Sequence, residues 1–212
     1  MCRLLFVKSN SQFDIKNHLE IFAEICKTSK EFQGHGWGCS YLENGEWKHY
    51  KNINPIWEDD FTKFAQTNRL VVHARSAFED KDIYIENNMP FYDDTFVFIF
   101  NGELRGVKIK ADGRIGAEKI FNFIKRFNSD NMKAAIQKGT KIINDRSDYI
   151  RAMNFIITDK EKVYVSSLFN VDPDYFQMSY KKTENELIIC SQKYPNENEW
   201  IKIENKSLME FK

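Results

Sequence analysis

The chain has 212 residues, which at about 150 residues per domain reads as one domain spanning 1–212, and its 31 Lys+Arg balance 31 Asp+Glu to a formal net charge of zero. That balance argues against a nucleic-acid binder that depends on phosphate contacts and against a polybasic membrane anchor. Aromatics reach 15% with 18 Phe, so core material is ample, and nine Gly with four Pro exclude collagen-like or Gly/Pro-rich disordered chains; the longest strongly apolar run, 96–100, falls far short of the roughly 20 residues of a membrane span.

Along the chain, residues 2–8 (CRLLFVK) read as a short strand. Residues 14–29 carry Ile15, Leu19, Phe22, Ala23 and Cys26 at near-helical spacing, with Asp14 near the start, so they predict a helix. The segment 33–50 combines a Gly-rich entry with an Asn44-Gly45 turn between two strands, the chemistry of a hairpin. Residues 57–66 after Pro55 predict a second short helix, 70–73 a compact apolar strand and 79–95 a polar loop. Residues 96–100 read as a buried strand that stops at Asn101-Gly102. Helices follow over 117–127 and 132–144. The remainder alternates as strands over 154–158, 162–167, 177–180, 186–191 and 200–203, with turns at Asp159-Lys160 and Pro195-Asn196 marking antiparallel connections. Strands at both ends with helices grouped between them point to sheets covered by helices, in an α+β domain.

The start MCRLLFVKSN has too short an apolar stretch for a signal peptide, which reads as a cytoplasmic protein. Cys2, Cys26, Cys39 and Cys190 are scattered without a C-x-x-C pair, and His18, His35, His49 and His73 show no ligand spacing with them. Neither disulfides nor a zinc site are expected, and no cofactor is implied.

Four features could carry chemistry. Removal of Met1 would leave Cys2 with a free α-amine beside its own thiol; the amine titrates near ~7.7–8.0 and the thiol near ~8.5, so one can serve as base for the other. The plain alternative is a buried cysteine on the first strand. Asn101-Gly102 is either a hairpin turn or a pair of donors, side-chain amide and backbone N–H, able to hold an oxyanion. Arg75, just past an apolar strand, offers a planar fork suited to a carboxylate, or a surface ion pair; His73 beside it reads as structural. Gly34-His35-Gly36-Trp37-Gly38 lets backbone approach a ligand or another segment closely, or makes a tight bend before a strand.

The order of these features is more specific than any one of them. Cys2 in MCRLLF, then GHGWG, then HAR, then a strand ending in NG resembles the class II glutamine amidotransferases, which are N-terminal-nucleophile (Ntn) hydrolases, and most of all their short stand-alone branch beginning MCRLL. NFIITDKEKVYV and LIICSQKYPNENEWIKIENKSLMEF resemble that branch's later strand pair and closing segment. The resemblance implies a four-layered α/β/β/α sandwich of two antiparallel sheets. It implies hydrolysis of the glutamine side-chain amide through a Cys2 thioester, with Asn101 and Gly102 holding the oxyanion and Arg75 the substrate α-carboxylate. It also implies glutamine or a related small amide as substrate; ammonia, if transferred, would go to an acceptor synthase on a separate polypeptide.

Two positions depart from the family pattern. Met89 stands where a segment like N-x-H-P-F has His, and Gly116 stands where an Asp binds the glutamine α-amine, with Asp112 nearby as a substitute. Losing an ionic partner to the ammonium costs a few kcal/mol of binding in a desolvated site. The alternatives are an amidohydrolase acting on another, γ-glutamyl, amide and a catalytically silent binding or regulatory relative.

Overall fold

The structure, a computed structural model, describes residues 1–212. Two antiparallel sheets form its centre. The first has seven strands, in the order β11 (Ile201–Lys202), β9 (Ser179–Lys182), β10 (Glu186–Cys190), β1 (Arg3–Asp14), β4 (Gln66–Ala74), β2 (Trp37–Glu43) and β3 (Glu46–Asn52). The second has five, in the order β12 (Ser207–Phe211), β8 (Val163–Ser167), β7 (Tyr149–Thr158), β6 (Val97–Arg105) and β5 (Phe91–Tyr92).

Side-chain alternation assigns each face of the first sheet. Leu4 and Phe6 on β1, Val71 on β4, and Leu187 and Ile189 on β10 join the cluster shared with the second sheet. Their neighbours Leu5, Val7, Leu70, Val72, Ile188 and Cys190 join a separate cluster under α1 (Ile15–Lys27). With both faces covered, LLFV and LVV are continuous apolar runs rather than alternating ones. The second sheet packs its other face on α2 (Gly116–Lys125) and α3 (Met132–Asp145), where Phe98 and Phe121 stack with centroids 4.9 Å apart. The layers are therefore helix, sheet, sheet, helix: the α/β/β/α sandwich of two antiparallel sheets that the resemblance implied.

Local chemistry explains most boundaries. Asp14 caps α1 by accepting from Lys16 N at 3.1 Å. Asn44 and Gly45 take φ of 52° and 78°, both positive as a type I′ hairpin turn requires.

Several expectations are corrected. Residues 57–66 form no α-helix; two 3-10 turns, Ile56–Glu58 and Phe61–Lys63, lead into β4. Asp59 ends the first turn with its carboxylate bound to other elements, and Asp60 caps the start of the second. Asp59 accepts from Trp37 Nε1 (3.0 Å), Tyr50 Oη (2.8 Å) and Asn52 Nδ2 (2.7 Å), and Asp60 from Thr62 N (2.9 Å). The strand at 96–100 does not stop at Asn101-Gly102. It runs on as β6 to Arg105, with Asn101 opposite Asn154 and Gly102 opposite Met153 on β7. Pro195-Asn196 does not join a hairpin, because β11 pairs with β9 rather than with β10. The 79–95 loop contains two 3-10 turns and β5. The sequence reading lacked β12 and the single turn α4 (Pro173–Phe176).

Candidate active site

The pairing of β1 with β4 assembles the first part of the site. Arg3 lies opposite Ala74, so the antiparallel register brings the residues just beyond, Cys2 and Arg75, to the same end of the sheet. Trp37 is paired to Ala74 from the other side. Arg75 N donates to Gly36 O (2.9 Å) and His35 N to Arg75 O (3.1 Å), which ties the Gly-rich segment to this corner. Gly36 has φ of 99°, and a Cβ there would lie 2.1 Å from Asn88 Nδ2, so the position needs glycine.

Cys2, Arg75 and Gly102 line one cavity of about 900 Å³ together with Met89 and Gly116. The Cys2 thiol donates to Ser76 O at 3.7 Å. Burial pushes the thiol up, opposed by the chain's N-terminal ammonium, the Ser76 hydrogen bond and the Arg75 charge. Arg75 is buried, and its guanidinium donates to Asp82 O (2.9 Å) and Asn88 Oδ1 (3.5 Å), not to a carboxylate.

Asn101 is fully buried and is not on the cavity wall, although its neighbours Phe100 and Gly102 are. Neither Nδ2 nor Oδ1 of Asn101 has a hydrogen-bond partner. A buried amide with all its capacity unused is costly in a structural role. Gly102 admits no side chain, because a Cβ would lie 2.1 Å from Ala152 O across the ladder.

His73 does not line the cavity. It is fully buried with Nε2 3.2 Å from Phe100 O, and burial depresses it to about 3. Cys26, Cys39 and Cys190 are buried thiols pushed up by desolvation. Asp112, the suggested substitute at the head of α2, is exposed and does not line the cavity. Gly116 does line it, and a Cβ there would meet nothing within 4 Å.

The sequence reading missed a polar group beside Cys2. Glu31 accepts the Met1 ammonium and, through its other oxygen, Arg151 Nη2 at 3.2 Å. Burial alone would raise this carboxyl; the ammonium and Arg151 override it and hold it low. Arg151 also pairs with Asp172 (2.6 Å) and Glu103 (3.7 Å). Gln33 Nε2 (2.6 Å) and Tyr175 Oη (2.5 Å) both donate to the Met1 carbonyl. No local pattern marks Glu31 or Gln33 in a polar loop, and Tyr175 is more than 140 residues away in sequence.

No helix is long and apolar enough to cross a membrane. No family model matches the sequence, and no curated protein does. Solved structures match its fold. A glutamine aminotransferase class-II domain protein from Silicibacter pomeroyi superposes with TM-score 0.65 at 12% identity, over 99% of this chain and 94% of that one. A predicted glutamine amidotransferase from Pseudomonas aeruginosa gives 0.64 at 11%, over 99% and 97%. Glutamine phosphoribosylpyrophosphate amidotransferase from B. subtilis gives 0.64 at 14%, over 90% of this chain; the match spans only 42% of that enzyme. The chain thus has the fold of the class II glutamine amidotransferases to which it is similar.

Proposed function

We propose that the protein is a glutamine amidotransferase-type amide hydrolase with Cys2 as nucleophile. The observation that carries this reading is the convergence of Cys2, Arg75 and Gly102 on one cavity, at the paired ends of β1 and β4 and the middle of β6. The reading requires a chain whose first residue is Cys2. Its α-amine takes the thiol proton, and Sγ attacks the substrate amide carbon. The side-chain amide of Asn101 and the N–H of Gly102 receive the developing oxyanion, which gives the unpartnered Asn101 its role. Collapse breaks the C–N bond, and ammonia leaves with the proton held by the amine. Water then attacks the glutamyl thioester, the amine accepts its proton, and the thiol is regenerated. Arg75 holds the α-carboxylate bidentately.

Hydroxylamine tests the thioester. Incubated with glutamine and the Cys2-first chain, it should yield γ-glutamyl hydroxamate and spare the water-dependent step; no hydroxamate and no ammonia would sink the reading. Asn101→Ala should lower turnover by about 10²–10³.

Gly116 favours a second reading, hydrolysis of a γ-glutamyl amide that has no free α-amine in the usual place. The carboxylate in the first turn of α2, Glu118, is paired with Arg114 at 2.6 Å and does not line the cavity that Gly116 lines. Preference for N-acylglutamine or γ-glutamyl dipeptides over free glutamine would select it.

A further inference from the structure

Met1 is held as a ligand is held, by groups specific for each part of an α-amino acid. Its ammonium is paired with the Glu31 carboxylate, which Arg151 fixes from the other side. Its carbonyl oxygen takes two hydrogen bonds, from Gln33 Nε2 at 2.6 Å and Tyr175 Oη at 2.5 Å. Its side chain packs on the small cluster of Ala152, Phe169, Tyr175 and Phe176. Gln33 is fully buried, its Nε2 also reaches Glu31 O (2.8 Å), and its Oε1 has no partner.

These contacts are not what a disordered chain start makes. They recognise a cation, an acceptor oxygen and an apolar side chain in one fixed arrangement, and all lie beside the nucleophile. When the chain begins at Cys2, Glu31 loses its ammonium partner and keeps Arg151, Tyr175 Oη loses its acceptor, and Gln33 Nε2 keeps only Glu31 O and Tyr175 Oη. Buried polar groups left in that state favour any ligand that restores their partners.

We infer that the recess occupied by Met1 is, in the Cys2-first chain, a binding site for a free L-α-amino acid with an apolar side chain. The ligand's ammonium pairs with Glu31, its carboxylate accepts from Gln33 and Tyr175, and its side chain enters the Ala152–Phe169–Phe176 slot. The inference rests on the proposed function only in requiring that Met1 be removed. It carries a consequence for that function. The Met1 carbonyl carbon is bonded to the Cys2 nitrogen, so a carboxylate in its place lies against the Cys2 α-amine. That contact keeps the amine protonated and unable to accept the thiol proton, so the bound amino acid inhibits.

The test is calorimetric titration with L-methionine. The chain 2–212 is released from a fusion whose cleavage leaves Cys2 first and is compared with the chain 1–212. Saturable one-to-one binding is expected to 2–212 and none to 1–212. N-acetyl-L-methionine, which lacks the ammonium, should bind at least about tenfold more weakly, as should L-methionine to Glu31→Gln, because each removes a charge-assisted hydrogen bond. The Cys2→Ala variant of chain 2–212 should bind L-methionine like the unsubstituted 2–212, since the hydrogen bond of the thiol goes to Ser76 O and not to Glu31, Gln33 or Tyr175. Retained binding in a protein that releases no ammonia would thus reject the proposed reaction and keep the site. No binding to 2–212, or equal binding to 1–212 or by N-acetyl-L-methionine, would overturn the inference.

Discussion

Gly116 is the residue at which the proposed choice of substrate is most directly tested. It opens α2 on the cavity wall, and nothing lies within 4 Å of a Cβ built there. Gly116→Asp should fold without strain and should raise stability by about 1 kcal/mol, from reduced chain entropy and a carboxylate at a helix N-terminus. If that carboxylate meets a substrate α-ammonium, KM for free glutamine falls several-fold with kcat little changed; steady-state kinetics on the variant check this. Gly102 is the opposite case. A methyl group there would lie 2.1 Å from Ala152 O, which is backbone and cannot swing away. Gly102→Ala should cost about 1–3 kcal/mol in urea unfolding and also displace the N–H proposed for the oxyanion. At this scale the sequence was informative about Cys2, Arg75 and Gly102, which the fold does bring to one cavity. It was silent on Glu31, Gln33 and Tyr175, because their roles arise from contacts over 30 to 174 residues of separation and leave no local spacing.

At the scale of elements, the two Asn-Gly dipeptides show what local chemistry can and cannot decide. Asn44-Gly45 turns with positive φ at the partly exposed end of β2 and leads into the polar, half-exposed β3. Asn101-Gly102 has the same two residues but lies opposite Asn154 and Met153 in a ladder that extends to Arg105, and the ladder wins. Tertiary pairing overrides turn propensity where the strand is buried on both faces. The 57–66 region fails as a helix for a different reason. Its acidic residue Asp59 serves as an acceptor hub for Trp37, Tyr50 and Asn52, three side chains from β2 and β3. Asp59→Ala leaves those donors unsatisfied and should lower stability by about 2 kcal/mol, measured by denaturant midpoint at constant slope. The long helices and the β1, β4 and β6 cores were legible because their apolar periods are unbroken. Two-residue β5 was not, because so short a pairing has no period to detect.

For the whole molecule, the sandwich buries His73 and partly buries His18 and His49, and burial favours the neutral ring at all three. Burial depresses His73 to about 3, and His18 and His49 to about 4. The unfolded chain protonates the same rings near pH 6.5. Between pH 6.5 and about 4 the unfolded state therefore binds more protons, and stability falls as pH drops through that window. His73 alone, fully buried, contributes about 3 kcal/mol of that loss. Urea unfolding as a function of pH should show it, with a shallower slope in His73→Gln; an equal slope would assign the acid sensitivity to other groups. The residue patterns pointed to sheets covered by helices in an α+β domain, the resemblance implied the four α/β/β/α layers, and the apolar clusters on both faces of the first sheet with three amphipathic helices account for them.

The central claim is that Cys2, once it is the first residue, cleaves an amide. The most direct measurement is ammonia release from glutamine by chain 2–212, with its start verified by intact mass, beside the same chain carrying Cys2→Ala and beside chain 1–212. Release by 2–212 alone is the predicted result. Equal release from the Cys2→Ala chain, or from the chain whose α-amine is still blocked by Met1, would contradict it.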